Sequence, residues 1–150
     1  MIKVNNITKS FGKVQVLKDI SFDIQKSEIV SIIGASGAGK TTLLQIIGTL
    51  DKADSGSILI NDKDITKMND KQLSLFRNQE IGFVFQFHYL LSEFTAIENV
   101  IMPALVYGED KQTAKERAKE LFSVLNIEDK QESYPSQMSG GEQQRVAIAR

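Results

Sequence analysis

EIVSIIGASGAGKTT, residues 28–42, decides how the rest of the chain is read. Its first six residues are close to continuously apolar, which predicts a strand covered on both faces within a parallel sheet. The stretch Gly34-Ala35-Ser36-Gly37-Ala38-Gly39-Lys40-Thr41 then fits the spacing G-x-x-x-x-G-K-[ST]. Leu43, Leu44 and Ile47 follow at helical spacing over 42–49, with Gly48 near the end. A strand, a glycine turn and a helix in that order make an anion cradle. Glycines let successive N–H groups face phosphate oxygens, and the helix start adds partial positive charge. Lys40 is the group expected to reach terminal phosphates, the Thr41 hydroxyl to ligate Mg²⁺, and Thr42 to touch a phosphate as well. The pattern predicts a nucleoside triphosphate site.

Upstream of the turn, apolar and polar residues swap at period two in 1–8, 14–17 and 21–24, with a turn at Gly12-Lys13, so an antiparallel start is expected. Downstream come a strand at 58–60, a turn at Asn61-Asp62, a helix over 70–79 and a strand over 81–85. Beyond Gln86 the pattern turns helical. Residues 95–107 are apolar-rich, and over 111–125 Ala114, Ala118, Leu121, Phe122 and Leu125 form one stripe, with the charges of DKQTAKERAKE on the wet face.

Composition narrows the partners. The 18 basic and 19 acidic side chains leave a net charge of -1, so no cationic field is available to hold a nucleic acid by its phosphates. With no cysteine, disulfides and cysteine-ligated metals are excluded, and a reducing cytoplasmic setting is expected. The start MIKVNNITKSF lacks a signal peptide's apolar core, and no apolar run approaches the roughly 20 residues that span a bilayer. Work at a membrane would therefore need another chain as anchor.

A second glycine turn closes the sequence in MSGGEQQRVAIAR, residues 138–150. Ser139-Gly140-Gly141 before a helix expected from Glu142 offers exposed N–H groups, a hydroxyl and a helix start, which is half a phosphate site. The same residues also read as a serine cap with flexible glycines. Phe87, Tyr89, Leu90, Leu91 and Phe94 cluster in a loop, where such a group either packs inward or docks something. The single histidine, His88, has no nearby ligands and reads as a loop or surface residue.

GASGAGKTT, then Gln86 in FVFQ, then MSGGEQQRVAIAR resemble the Walker A motif, Q-loop and signature of ABC transporter ATP-binding domains, and the resemblance spans essentially all 150 residues. Within that family, residues 81–105 (IGFVFQFHYLLSEFTAIENVIMPAL) and 46–58 (IIGTLDKADSGSI) are most similar to lipoprotein-releasing exporter ATPases and related export and cell-division ATPases. The resemblance implies an α/β P-loop NTPase fold with an N-terminal antiparallel β part, a helical subdomain at about 87–149 and an incomplete core sheet. It implies ATP and Mg²⁺ as cofactors and Lys40 and Gln86 as catalytic groups, with Thr41 and Gln86 toward the metal. Phe11 would stack on adenine, where the family commonly has tyrosine, or else pack as an ordinary strand-end aromatic. Met138 replaces the family's usual leucine, with little change expected.

The resemblance further implies a head-to-tail pair, because a whole helical subdomain separates the two turns of one chain while a twofold dimer lets each turn serve its partner. Ser139, Gly140 and Gly141 would then meet the ATP held by the other copy's residues 34–42. A transmembrane permease would dock on residues 87–94, placing the chain peripherally on the inner face of the cytoplasmic membrane, with no nucleic acid involved. The family's second metal-holding carboxylate and water-polarising glutamate lie beyond the signature helix. The expectation is therefore a single domain lacking its C-terminal part from Walker B onward, binding ATP weakly and hydrolysing it poorly on its own. Two rivals are a nucleotide-responsive module that never turns over and a soluble ABC ATPase of DNA repair or translation.

Overall fold

Alternating apolar residues at the N-terminus pair into a long antiparallel hairpin, β1 (Ile2–Phe11) with β2 (Val14–Ile24). The computed structural model describes all residues 1–150. Val4 and Ile7 are both buried although three positions apart, because the register slips between them. At the slip Asn6 and Asp19 take positive φ, and Asn6 Nδ2 donates to Asp19 Oδ1 at 2.7 Å. One bulge thus returns two apolar residues to the same face.

The sheet continues through β3 (Ser55–Ile60) to the two-residue β4 (Lys63–Asp64), in the order β2-β1-β3-β4, all antiparallel. Helices α1 (Lys40–Ile47) and α2 (Asp70–Glu80) supply Leu43, Ile46, Leu73 and Phe76 to a core with Val4, Ile7, Ile58 and Ile60. α2 starts at a capping box, with Asn69 accepting from the Gln72 N–H and Gln72 accepting from the Asn69 N–H. Arg77 of α2 donates to the carbonyl and hydroxyl of Thr49, tying it to the end of α1. Gly56 is the position where the sheet requires glycine: its φ is +96°, and a Cβ there would lie 2.5 Å from the carbonyl oxygens of Asn5 and Asn6.

Two expected strands do not form. Residues 28–33 and 81–85 join no sheet. Ile29 and Ile33 are 97% and 91% exposed, and only Ile32 reaches the first core. The apolar run predicts a strand covered on both faces, yet no segment of the 150 residues pairs with it. Without ladder partners on its edges the run stays outside any sheet. The central parallel sheet is thus missing here, beyond being incomplete.

The chain divides into two compact units, Met1–Ile81 and Gly82–Arg150. The second is helical: α3 (Ala96–Tyr107), α4 (Lys111–Val124) and α5 (Gly140–Ala149). Each begins at a polar cap, Thr95 with Glu98, Asp110, and Ser139 with Glu142. Their apolar faces meet in a core of Ile97, Val100, Ile101, Ala114, Ala118, Phe122, Ile127, Met138 and Val146. The expected α4 stripe holds at Ala114, Ala118 and Phe122, while Leu121 is 41% exposed. Met138 fills its core position, as an unbranched apolar substitute should.

Candidate nucleotide site

Gly39 is where backbone and sequence constrain each other most closely in the phosphate turn. Its φ is +86°, and a Cβ would lie 2.8 Å from Val16 Cγ1 and 2.9 Å from Leu17 Cδ2. The turn therefore lies directly on β2, and only glycine allows the approach. Gly39 is also the cap of α1 and offers no side chain to its first-turn N–H groups. Three helical residues, Lys40, Thr41 and Thr42, occupy that turn, so backbone donors and two hydroxyls come together at an uncapped helix start.

The Lys40 ammonium curls back over the turn, where Nζ donates to the carbonyls of Gly34 at 2.9 Å and Ala35 at 2.7 Å. The Ala38 N–H closes the turn onto the Ala35 carbonyl at 3.2 Å. Gly34 through Ala38 are exposed, as is Thr41, and a Cβ at Gly37 would meet nothing within 4 Å. Glycines at 34, 37 and 39, an uncapped helix start and a cation over the turn fit a polyphosphate. Thr41 is left exposed at the same helix start.

In the same unit Phe11 is 54% exposed at the end of β1, which removes the reading as a packed core aromatic. Lys9 Nζ lies 5.3 Å from its ring centroid and 2.9 Å from Asp51 Oδ1. That ion pair, chiefly the hydrogen bond from Lys9, holds the Asp51 carboxyl below its ordinary range. A cavity of about 310 Å³ opens beside Asp51 and Lys52, lined also by Ile46, Ile58, Met68 and Leu73, so it borders the far end of α1 and not the phosphate turn.

In the second unit the SGG turn is built from its own helix. Ser139 caps α5, and Glu142 Oε2 accepts from its N–H at 2.7 Å and its hydroxyl at 2.8 Å. The helix starts at Gly140, two residues before the expected Glu142, because the serine cap draws both glycines into the first turn. Gly140 has open space where a Cβ would be, and Gly141 meets only Arg145 Nη1 at 3.9 Å. Gln143 Nε2 donates to the carbonyls of Pro135 and Met138, which fixes the approach to the turn.

Gln86 is exposed in a turn, followed by Phe87 at 72% exposure and Tyr89 at 61%. Leu91 and Phe94 are also exposed, whereas Leu90 packs on the helical core, so the loop cluster divides four to one. Phe85 stacks on Phe83 and meets Tyr89 edge to face. Asn99, fully buried, ties this loop down by accepting from the Leu91 N–H and donating to the carbonyls of Leu91, Phe94 and Thr95. His88 is a half-buried loop residue whose Nδ1 has no hydrogen-bond partner.

Residues 17–150 match the family described as ABC transporter. The chain belongs to the ABC transporter family. Relatives include the lipoprotein-releasing system ATP-binding protein LolD of Bacteroides thetaiotaomicron, 56% identical over all 150 residues and 69% of that protein. The protein of the same name from Aquifex aeolicus is 51% identical, over the whole chain and 67% of its own length. Among solved structures, the dimeric MJ0796, a bacterial ABC transporter cassette, superposes with a TM-score of 0.90 at 39% identity, covering 99% of this chain and 68% of that one. A post-hydrolysis state of the same ATP-binding cassette, bound to ADP and Pi, gives 0.89 at 38% identity with the same coverage.

The ABC fold expectation therefore stands, with its antiparallel β part and helical unit in place. ABC ATPases bind ATP, and the phosphate turn of this ABC chain has the groups for it. Sequence reasoning passed over Lys9, Asn99 and Gln143. Asn99 had a faint signal, because it follows the Thr95–Glu98 capping pair, but nothing in a linear sequence marks a lysine as buried.

Proposed function

We propose that the chain is the ATP-binding subunit of an ABC transporter that couples ATP binding and hydrolysis to release of lipoproteins from the cytoplasmic membrane. The observation that carries the reading is the Lys40 ammonium held over a glycine turn at an uncapped helix start. Identity of 55–56% over all 150 residues to proteins named for lipoprotein release supports the transported class.

In this reading the N–H groups of 34–42 and the Lys40 ammonium bind and orient the triphosphate, and Phe11 stacks on adenine. Thr41 and Gln86 are the side chains that would hold Mg²⁺, which would supply neutralisation of charge at the phosphates. Gln86 also positions the attacking water. Ser139, Gly140 and Gly141 serve the nucleotide of a second copy, so ATP clamps two cassettes head to tail and hydrolysis releases them.

No helix is long and apolar enough to cross a membrane. In this reading the subunit works peripherally on the inner face, docked to permease subunits through Phe87, Tyr89, Leu91 and Phe94, which are exposed. The domain reading is one ABC cassette with a helical subdomain at about 87–149. The test is reconstitution of the full-length protein with its permease in proteoliposomes. ATP-dependent release of a lipoprotein, lost in Lys40→Met, is expected. Release independent of ATP, or turnover with no effect on lipoprotein, overturns it.

A further inference from the structure

Lys9 is 9% exposed, which is unusual for a lysine and costly unless the charge is met. Here it is met on three sides: by the Asp51 carboxylate at 2.9 Å, by the Lys52 carbonyl, and by the ring of Phe11 at 5.3 Å from its centroid. Asp51 accepts in turn from the Lys52 N–H at 2.7 Å, which fixes the carboxylate that fixes the lysine. These contacts join two parts of the first unit that are far apart in sequence. Phe11 ends β1, whereas Asp51 and Lys52 follow α1, the helix that begins with Lys40.

We propose that Lys9, anchored by Asp51, is a positioning residue for nucleotide binding: its ammonium holds the Phe11 ring in place and ties that base platform to the helix carrying the phosphate turn. The proposal rests on the reading of Phe11 as the adenine-stacking residue. A cation against a ring restrains its rotation while leaving ring surface for a flat base, and Phe11 remains 54% exposed. The ion pair thus adds a side-chain tie between base platform and α1 to the backbone one that the Ser10 N–H makes with Asp54 Oδ2 at 2.7 Å. Phenylalanine has no hydroxyl with which to anchor itself, so an external restraint has more to do here than it would beside tyrosine.

The test compares ATP with inorganic tripolyphosphate, which has the phosphates and no base, by titration calorimetry on the full chain. Lys9→Met keeps the apolar stem and removes the ammonium. It is expected to weaken ATP binding roughly three- to tenfold and to leave tripolyphosphate binding unchanged. Lys9→Arg is expected to restore ATP binding. Phe11→Ala should weaken ATP at least as much, and the double variant should be no weaker than Phe11→Ala alone. Equal loss for ATP and tripolyphosphate, unchanged ATP affinity, or additive effects in the double variant overturn the role of Lys9. Unchanged ATP affinity in Phe11→Ala overturns the stacking reading together with it, so the two failures are distinguishable. Should Lys9→Met fail to fold, Asp51→Asn, which loosens the anchor and leaves the lysine, is expected to give the same selective loss for ATP.

Discussion

Glu142 Oε2 accepts from both the backbone N–H and the hydroxyl of Ser139, at 2.7 and 2.8 Å. The serine that heads the SGG turn is thus held by its own helix before any phosphate arrives. Those hydrogen bonds, the backbone one first, keep the Glu142 carboxyl below its ordinary range, and Lys130 Nζ at 3.4 Å adds to the effect. Structural cap and proposed phosphate contact are the same group, and substitution separates them. Ser139→Asp keeps a capping oxygen but places negative charge where the proposed function needs an anion bound. By amide exchange α5 should still form, weakened by the new carboxylate facing Glu142, while ATP-driven pairing of the full-length protein is lost. In Ser139→Ala, α5 should lose about 1 kcal/mol of stability.

Lys40 donates only to two carbonyls of an exposed turn. Removing it leaves nothing buried and unpaired, so Lys40→Met is expected to keep its thermal midpoint within about 2 °C, as surface changes away from packing do. ATP affinity should fall by roughly a hundredfold, because a charge-assisted contact to the terminal phosphates is lost. Parallel melting curves and nucleotide titrations check both halves. A large loss of stability would show that the lysine has a structural duty that its hydrogen bonds do not reveal.

Gly56 and Gly37 make a matched pair for testing backbone demands. Both have positive φ, +96° and +77°, but a Cβ at Gly56 meets two backbone oxygens at 2.5 Å, whereas one at Gly37 meets nothing within 4 Å. Gly37→Ala should therefore cost about 1 kcal/mol, from conformation alone. Gly56→Ala should cost at least about 3 kcal/mol, because β1 and β3 must also separate. Urea denaturation of both variants measures the difference.

The acid limb of the stability curve follows from the caps. The Thr113 N–H foremost, with that of Gln112, holds the Asp110 carboxyl below its usual value, and at Glu98 the Thr95 backbone N–H does the same. A folded-state value below the unfolded one, about 4 for these groups, stabilises the folded chain in full above that pH. The contribution is lost as pH falls through the lower folded value. Denaturant midpoints should thus drop between about pH 5 and pH 3, and Asp110→Asn should flatten part of that drop.

Local signals carried most of the fold. Capping residues Asn69, Thr95, Asp110 and Ser139 lie where sequence rules put them, because a cap is satisfied within three residues and needs nothing from the rest of the chain. The hairpin was legible from its alternation, although the bulge at Asn6 was not, since its cause is a cross-strand bond to Asp19. The two missing strands mark the limit. Residues 28–33 have the composition of a doubly covered strand, but a strand exists only by pairing, and no pattern within six residues states whether a partner is present. At the candidate site the phosphate turn and SGG turn were readable as contiguous words. Lys9 with Asp51 and Asn99 with Leu91 were not, being meetings of residues 42 and 8 positions apart.

The unpaired run at 28–33 also bears on how such a chain meets its neighbours. The 150 residues close two apolar interiors, yet they also carry a sticky ribbon with Ile29 and Ile33 almost fully solvated. Unmatched strand edges invite association with neighbouring chains.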